Sequence, residues 1–135
     1  MANSVTIQTL VDGPRNVVVK LTGVIDTADV ASTTLIDPAT LSALGGLSGN
    51  PTRLIVDKIS YNVESPLAVH LAWDATTPVI FASLVNSGDD LEFGKFGGVY
   101  NTEAAGVTGI IKYSTQGWSA GAILSFNVIL EMRKR

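Results

Sequence analysis

The sequence contains no cysteine. Disulfides, thiolate metal sites and a cysteine nucleophile are therefore excluded. Its one histidine, His70, confines imidazole chemistry to a single position. Charge is scarce as well: Asp, Glu, Lys and Arg make up 16% of the 135 residues, against about 25% in an average chain. A mildly hydrophobic chain with so few charges has to hide much of its surface, in a core or against neighbouring subunits. No apolar run approaches the roughly 20 residues of a membrane span. Met1-Ala2-Asn3-Ser4 lacks the basic region and apolar stretch of a secretory signal, so no membrane partner is expected. Three of the nine basic residues are the terminal Arg133-Lys134-Arg135, while the net charge is −3. The other six form no patch able to neutralise phosphates, so nucleic acid is not an expected partner. The terminal triplet reads as a solubilising end that stops the last strand from pairing onward, or else as a contact for an acidic partner.

Period-two alternation, by contrast, recurs along the whole chain. From Ala122 to Arg135, Ala122, Leu124, Phe126, Val128, Leu130 and Met132 fall on one side, and Ser125, Asn127, Glu131 and Arg133 on the other. Successive strand side chains point to opposite faces, so this predicts a long strand with one buried face. The chain would then end inside its own sheet, as a complete β domain does. Ser4–Val11 and Asn16–Ile25 alternate in the same way around Asp12-Gly13-Pro14-Arg15, which is turn chemistry, and predict a hairpin. The second of these strands places Val17, Val19, Leu21 and Ile25 inward.

Asp26 to Leu35 predicts a loop that becomes a short strand. Asp37-Pro38 predicts a helix start, with one or two turns over Ala39–Leu44 stopped by Gly45-Gly46. Ser48 to Pro51 predicts another loop. Further strands are expected at Arg53–Val63, with Ile55, Ile59, Tyr61 and Val63 inward, and at Leu67–Asp74, with Leu67, Val69, Leu71 and Trp73 inward. A turn at Glu64-Ser65-Pro66 would separate the two. After a turn at Ala75–Pro78 come Val79–Val85, a turn at Asn86–Asp89, and a short strand at Leu91–Phe93. Gly94–Gly106 reads as a long surface loop, followed by a strand at Val107–Thr115 and a turn at Gln116–Gly121. Seven to nine strands, with turn signals every ten residues or so, predict one all-β domain over residues 1–135. Its expected form is an antiparallel β-sandwich, jelly-roll-like or immunoglobulin-like, with one short helical segment. A βαβ fold would need crossover helices, and no stretch is long enough to supply them.

The chemistry-bearing residues do not assemble into a catalytic motif. His70 and Asp74 share an outward strand face, but no serine sits in an elbow such as G-x-S-x-G, so an exposed or interfacial histidine is the expected reading. Asp26, Asp29, Asp89 and Asp90 stand in turn contexts, where carboxylates bond their own backbone. A calcium site would need six to eight oxygens converging from two loops. Two carboxylates facing each other across a cleft would suit a glycosidase, but twelve acids offer some pair in any chain. Gly94-Lys95-Phe96-Gly97-Gly98 lacks the order of a phosphate-binding loop. No catalytic, cofactor or metal residue is expected. Among the aromatics, Trp73 and Phe126 belong to the core. Phe96, Tyr100 and Trp118 fall in loops, where they stack on a partner or pin the loop to its own domain.

Three segments also carry a family resemblance. They are Leu10-Val11-Asp12-Gly13-Pro14-Arg15-Asn16-Val17-Val18-Val19-Lys20, Ile36-Asp37-Pro38-Ala39-Thr40-Leu41 and Trp73-Asp74-Ala75-Thr76-Thr77-Pro78. Together they resemble small virion proteins of tailed bacteriophages, over most of the chain. The resemblance implies a structural role in the phage head and carries over no catalytic residue. It implies synthesis in the host cytoplasm, assembly into the virion, and a major capsid protein as partner. The expected function is that of a head decoration or cement protein, a trimer or dimer that clamps neighbouring capsid subunits. Its expected contacts are the first strand and its N-terminal arm (Ala2, Asn3, Ser4, Val5, on to Thr9) and the loop region with Phe96, Tyr100 and Trp118. A carbohydrate- or receptor-binding module of a phage tail, using Tyr100, Trp118 and the loop aspartates, is the alternative.

Overall fold

The computed structural model describes residues 3–41, 54–76, 78–99 and 109–134. Seven strands run through them: β1 (Ser4–Asp12), β2 (Asn16–Ile25), β3 (Thr33–Ile36), β4 (Leu54–Trp73), β5 (Val79–Glu92), β6 (Ile111–Gln116) and β7 (Leu124–Lys134). Every pairing is antiparallel. The strands form one sheet in the order β1-β2-β7-β4-β6-β3, with β5 also on β4. The chain is thus all-β, as expected, and its sheet curls into a nearly closed, barrel-like form around one cluster of buried side chains. The predicted helix is a single 3-10 turn, Pro38–Thr40. The rest of that prediction, with the loops at 45–46 and 48–51, lies outside the described residues.

The hairpin of β1 and β2 forms as the turn chemistry requires, with the Gly13 N–H donating to the Asn16 carbonyl at 2.9 Å. β7 is inserted between β2 and β4, and its predicted inward set from Leu124 to Met132 is buried throughout. Opposite Phe126 stands Gly23, at an inward position of β2. A Cβ there would sit 2.7 Å from the Phe126 ring, so the aromatic ring occupies the space that the glycine leaves.

β4 departs most from expectation. Glu64-Ser65-Pro66 does not turn the chain: one strand of 20 residues runs through it. Between the pairs Val63↔Ser87 and Ala68↔Val85, residues 64–67 of β4 oppose only residue 86 of β5. Proline has no N–H for the ladder, and a bulge is where a sheet accommodates it. The Ser65–Pro66 peptide is cis. Before the bulge the other edge of β4 pairs with β7; after it, with β6. The bulge therefore marks where the sheet changes neighbours. β5 follows β4 on both sides of it, so the predicted turn at Asn86–Asp89 is also strand, as is the Leu91 segment. Residues 87–92 lie against 58–63, and that cross-strand pairing outweighs the local turn preference of Asn, Gly and Asp.

A smaller correction concerns Ile55. A register shift between Val56 and Lys58 places an extra residue, Asp57, in β4. It changes the phase of the alternation, so Leu54, Val56 and Ile59 are buried while Ile55 is only half-buried.

Gly117 secures the bulge from the loop after β6. Its φ is +99°, and a Cβ would lie 2.3 Å from the Pro66 carbonyl oxygen. Gly117→Ala therefore adds a left-handed backbone penalty of about 1–2 kcal/mol to a backbone clash. We expect it to lower stability by at least about 2 kcal/mol in urea unfolding. A loss near zero would mean that the loop shifts away from Pro66 without cost.

Candidate interaction edge

Chemistry-bearing groups are sparse among the described residues, and no three His, Asp or Glu side chains there stand close enough to hold a metal ion. His70 lies on the outer face, with its Nδ1 2.9 Å from Ser83 Oγ. Asp74 pairs instead with Lys112 at 3.7 Å. Asp29 latches a loop: its Oδ1 accepts from Thr115 Oγ1 at 3.3 Å and from the Trp118 N–H at 3.2 Å. Asp89 accepts from the Asp90 N–H at 2.8 Å, and Asp90 pairs with Lys58 at 3.8 Å. The Trp118 indole donates to the Ala122 carbonyl at 2.9 Å and packs half-buried against the core. The Gly94–Phe96 segment is a 3-10 turn, and the following Val99 bridges Val56. Ala2, Tyr100 and the remainder of the predicted 94–106 loop lie outside the described residues.

Arg133 and Lys134 behave unlike a solubilising tail. Lys134 continues the inward phase of β7 after Met132, and its side chain is fully buried. Its Nζ lies 2.5 Å from Asp12 Oδ1. Asp12 reaches the inner side because the register of β1 shifts between Thr9 and Val11, leaving Leu10 in a bulge and turning Asp12 toward the Val17 side. The Lys134 N–H also donates to the Arg15 carbonyl at 2.6 Å. Arg133, on the outer side, donates from Nε to Asp57 Oδ2 at 2.7 Å and from Nη2 to the Gly97 carbonyl at 2.7 Å. These two cations join the last strand to the β1–β2 hairpin and to the segment after β5.

The first strand combines three properties over a regular run of six residues. Among the described residues only β2 pairs with it, so its second edge is open. Ser4–Val11 carries no charged residue and no proline. Apolar side chains are exposed on both of its faces: Ile7 is 41% exposed on the inner side, Val11 is 45% exposed on the outer side, and the bulged Leu10 is 47% exposed. Natural sheets blunt long edges with charge, proline or brevity, because open N–H and C=O groups recruit further strands. β3 is short, with four residues. The first half of β5 is uncharged and exposes Val79, Ile80 and Val85, but register shifts at Phe81 and at residue 86 leave it no regular run longer than four residues, and its second half carries Asp89, Asp90 and Glu92. β1 has its bulge only near the end, and six regular residues precede it.

Of the predicted contact residues, Asn3, Ser4 and Val5 stand together at the start of this edge. Asn3 is anchored: its Oδ1 accepts from the Asp26 and Thr27 N–H groups at 2.8 and 2.9 Å, and its Nδ2 donates to the Ala28 carbonyl at 2.7 Å. The strand is therefore held in place rather than trailing as a loose arm. Trp118 lies in the loop between β6 and β7 and belongs to a different part of the molecule. Sequence reading does not find Asp12 and Lys134 as a pair. A signal is present in the inward parity of Lys134, but the bulge that brings Asp12 to meet it leaves no local signature.

Titration adds one feature at the core. Tyr113 of β6 is 5% exposed, and burial raises its phenol above the ordinary value of 10.0. Below that value the phenol is neutral in both folded and unfolded chains. Above it the unfolded chain gives up the proton first, so stability falls as pH rises. We expect urea midpoints to drop from about pH 9.5 to about pH 11, and Tyr113→Phe to flatten that slope. An unchanged slope in the variant would assign the alkaline loss to other groups.

No protein-family model matches the chain, and no curated protein matches its sequence.

Proposed function

We propose that the protein is a non-enzymatic structural component of a tailed-phage virion, a head decoration or cement protein that docks between major capsid subunits. The observation that carries this reading is the open, uncharged edge of β1 with apolar side chains on both its faces. An extended segment of a neighbour on the shell, added there, gains backbone hydrogen bonds along the edge and covers its exposed apolar side chains. Each hydrogen bond contributes about 0.5–1.5 kcal/mol net, and buried apolar surface about 25 cal/mol per Å². Modest docking energies repeated over a shell add up to a large gain in capsid stability. The same reading favours a two-layer description of the fold, a sandwich creased at the Glu64–Leu67 bulge of β4. The layers are β1, β2, β7 and the first half of β4, facing β3, β6 and its second half.

A second reading, a glycan- or receptor-binding module, draws support from an open groove of about 420 Å³ on the sheet, lined by Ser60, Asn62, Asp89, Asp90, Asn127 and Ile129. Its amides and carboxylates suit hydroxyl groups. The deciding experiment adds purified protein to expanded empty heads and follows sedimentation and calorimetry. Co-sedimentation with a raised head melting temperature is the expected result. Failure to bind, together with Asn62-dependent signal on a glycan array, would replace the first reading by the second.

A further inference from the structure

We infer that the open edge of β1 is a self-pairing edge, which takes β1 of a second copy of this chain in antiparallel register about a two-fold axis through Ile7. This rests on the reading of β1 as the docking strand and names its occupant. The segment Val5-Thr6-Ile7-Gln8-Thr9 has nearly the same pattern read in either direction: β-branched at its first, third and fifth positions and polar at the second and fourth. Valine and threonine are close in shape, so Val5 and Thr9 are interchangeable in outline. With Ile7 at the centre, Ile7 faces Ile7 of the second copy, Val5 faces its Thr9, and Thr6 faces its Gln8. Directly opposed residues share a face, so the β-branched row continues across the junction on the inner side and the polar row on the outer side.

Charge supports the same occupant. A strand meeting its own copy about a central axis sets like charges near each other, and Ser4–Val11 has none to oppose. Asp12, the nearest charge along the strand, is turned toward Lys134 beyond the Leu10 bulge. The bulge also ends the regular ladder, and since Ser4 would face the bulged Leu10 of the second copy, pairing is limited to Val5–Thr9. An isologous contact of this kind closes on itself and yields a dimer rather than a filament. Five paired residues per copy give an interface below the roughly 1,200 Å² of standard complexes. The dimer is therefore concentration-dependent in solution and strengthened where a lattice holds copies side by side.

The absence of cysteine makes the test clean, because an introduced thiol is the only one. In Ile7→Cys the two thiols face each other, about 4.5–5.5 Å apart at Cβ, close to disulfide range. In Thr9→Cys they lie about 14 Å apart along the strands. Under a mild glutathione buffer, Ile7→Cys should form covalent dimer at least about tenfold faster than Thr9→Cys. A mixture of Val5→Cys and Thr9→Cys proteins should form the cross-linked heterodimer.

Sedimentation velocity of the cysteine-free protein should show a monomer–dimer equilibrium. The double variant T6E/Q8E, which sets glutamate against glutamate across the junction while the new carboxylate at position 8 meets Lys20 of its own chain, should be monomeric with no loss in melting temperature. Equal cross-linking rates at positions 7 and 9, a monomer at all concentrations, or a persistent T6E/Q8E dimer would overturn the inference. Protein that binds heads but stays monomeric and uncross-linked overturns self-pairing and leaves the decoration reading standing. An Ile7→Cys protein that cross-links into dimers yet ignores heads does the reverse.

Discussion

Asp12→Ala is expected to destabilise the protein by about 3–5 kcal/mol, whereas Lys134→Met should change stability by less than about 1 kcal/mol. The asymmetry follows from where the two charges sit. The Lys134 side chain is fully buried, and the Asp12 side chain is 29% exposed. Removing the carboxylate leaves an ammonium in the core without the anion 2.5 Å away from it. Removing the ammonium leaves a carboxylate that still reaches water, and methionine fills the space among apolar neighbours. The double variant Asp12→Ala/Lys134→Met should recover most of the loss, because no buried charge remains. Urea unfolding of the four proteins measures the coupling. Equal losses in the two single variants would mean that the lysine head swings out to water when its partner is removed.

Trp73→Ala should cost about 3–5 kcal/mol. The indole ends the buried row of β4, is 3% exposed, and stacks on Phe81 with ring centroids 4.2 Å apart and planes at 24°. Such a stack adds about 0.5–1.5 kcal/mol beyond burial. The register of β4 and β5 shifts at Phe81, so the ring pair also secures an irregular stretch of the ladder. Trp73→Phe keeps the stack and part of the volume and should lose less than half as much as the alanine variant, as read by the shift in urea midpoint. A Phe variant as unstable as the alanine one would indicate that indole size, rather than stacking, carries the effect.

The phase of each strand with one buried face is legible in the sequence. Val17, Val19, Leu21 and Ile25, and likewise Leu124 to Met132, alternate without interruption, so parity along the chain reports the core directly. Parity fails wherever a bulge inserts a residue. Counting back from Ile59 assigns Ile55 inward, and the extra residue at Asp57 makes that count odd. The same kind of shift at Leu10 brings Asp12 to Lys134. Turn chemistry at Glu64-Ser65-Pro66 and at Asn86–Asp89 is real as local preference. The two sites face each other across one ribbon, and their pairing keeps both strands running. No local pattern records which distant strand lies alongside. The open edge of β1 is legible as an uncharged alternating segment. Its freedom depends on the strand order, which places it at one end of the sheet.

The central place of β7 has a consequence for how the protein comes into being. The seventh strand in chain order lies between the second and the fourth. Until it emerges from the ribosome, the nascent chain holds a hairpin of β1 and β2 and a separate group of β3 to β6, and no other strand among the described residues joins them. Closing β7 onto β2 spans about a hundred residues, and so long a loop makes the step entropically costly and slow. The lysine that meets Asp12 is at the far end of that strand. The hairpin and the larger group therefore cannot merge while the chain is still short of β7, and shortened chains lacking residues 124–134 should be captured by chaperones rather than accumulate as folded protein.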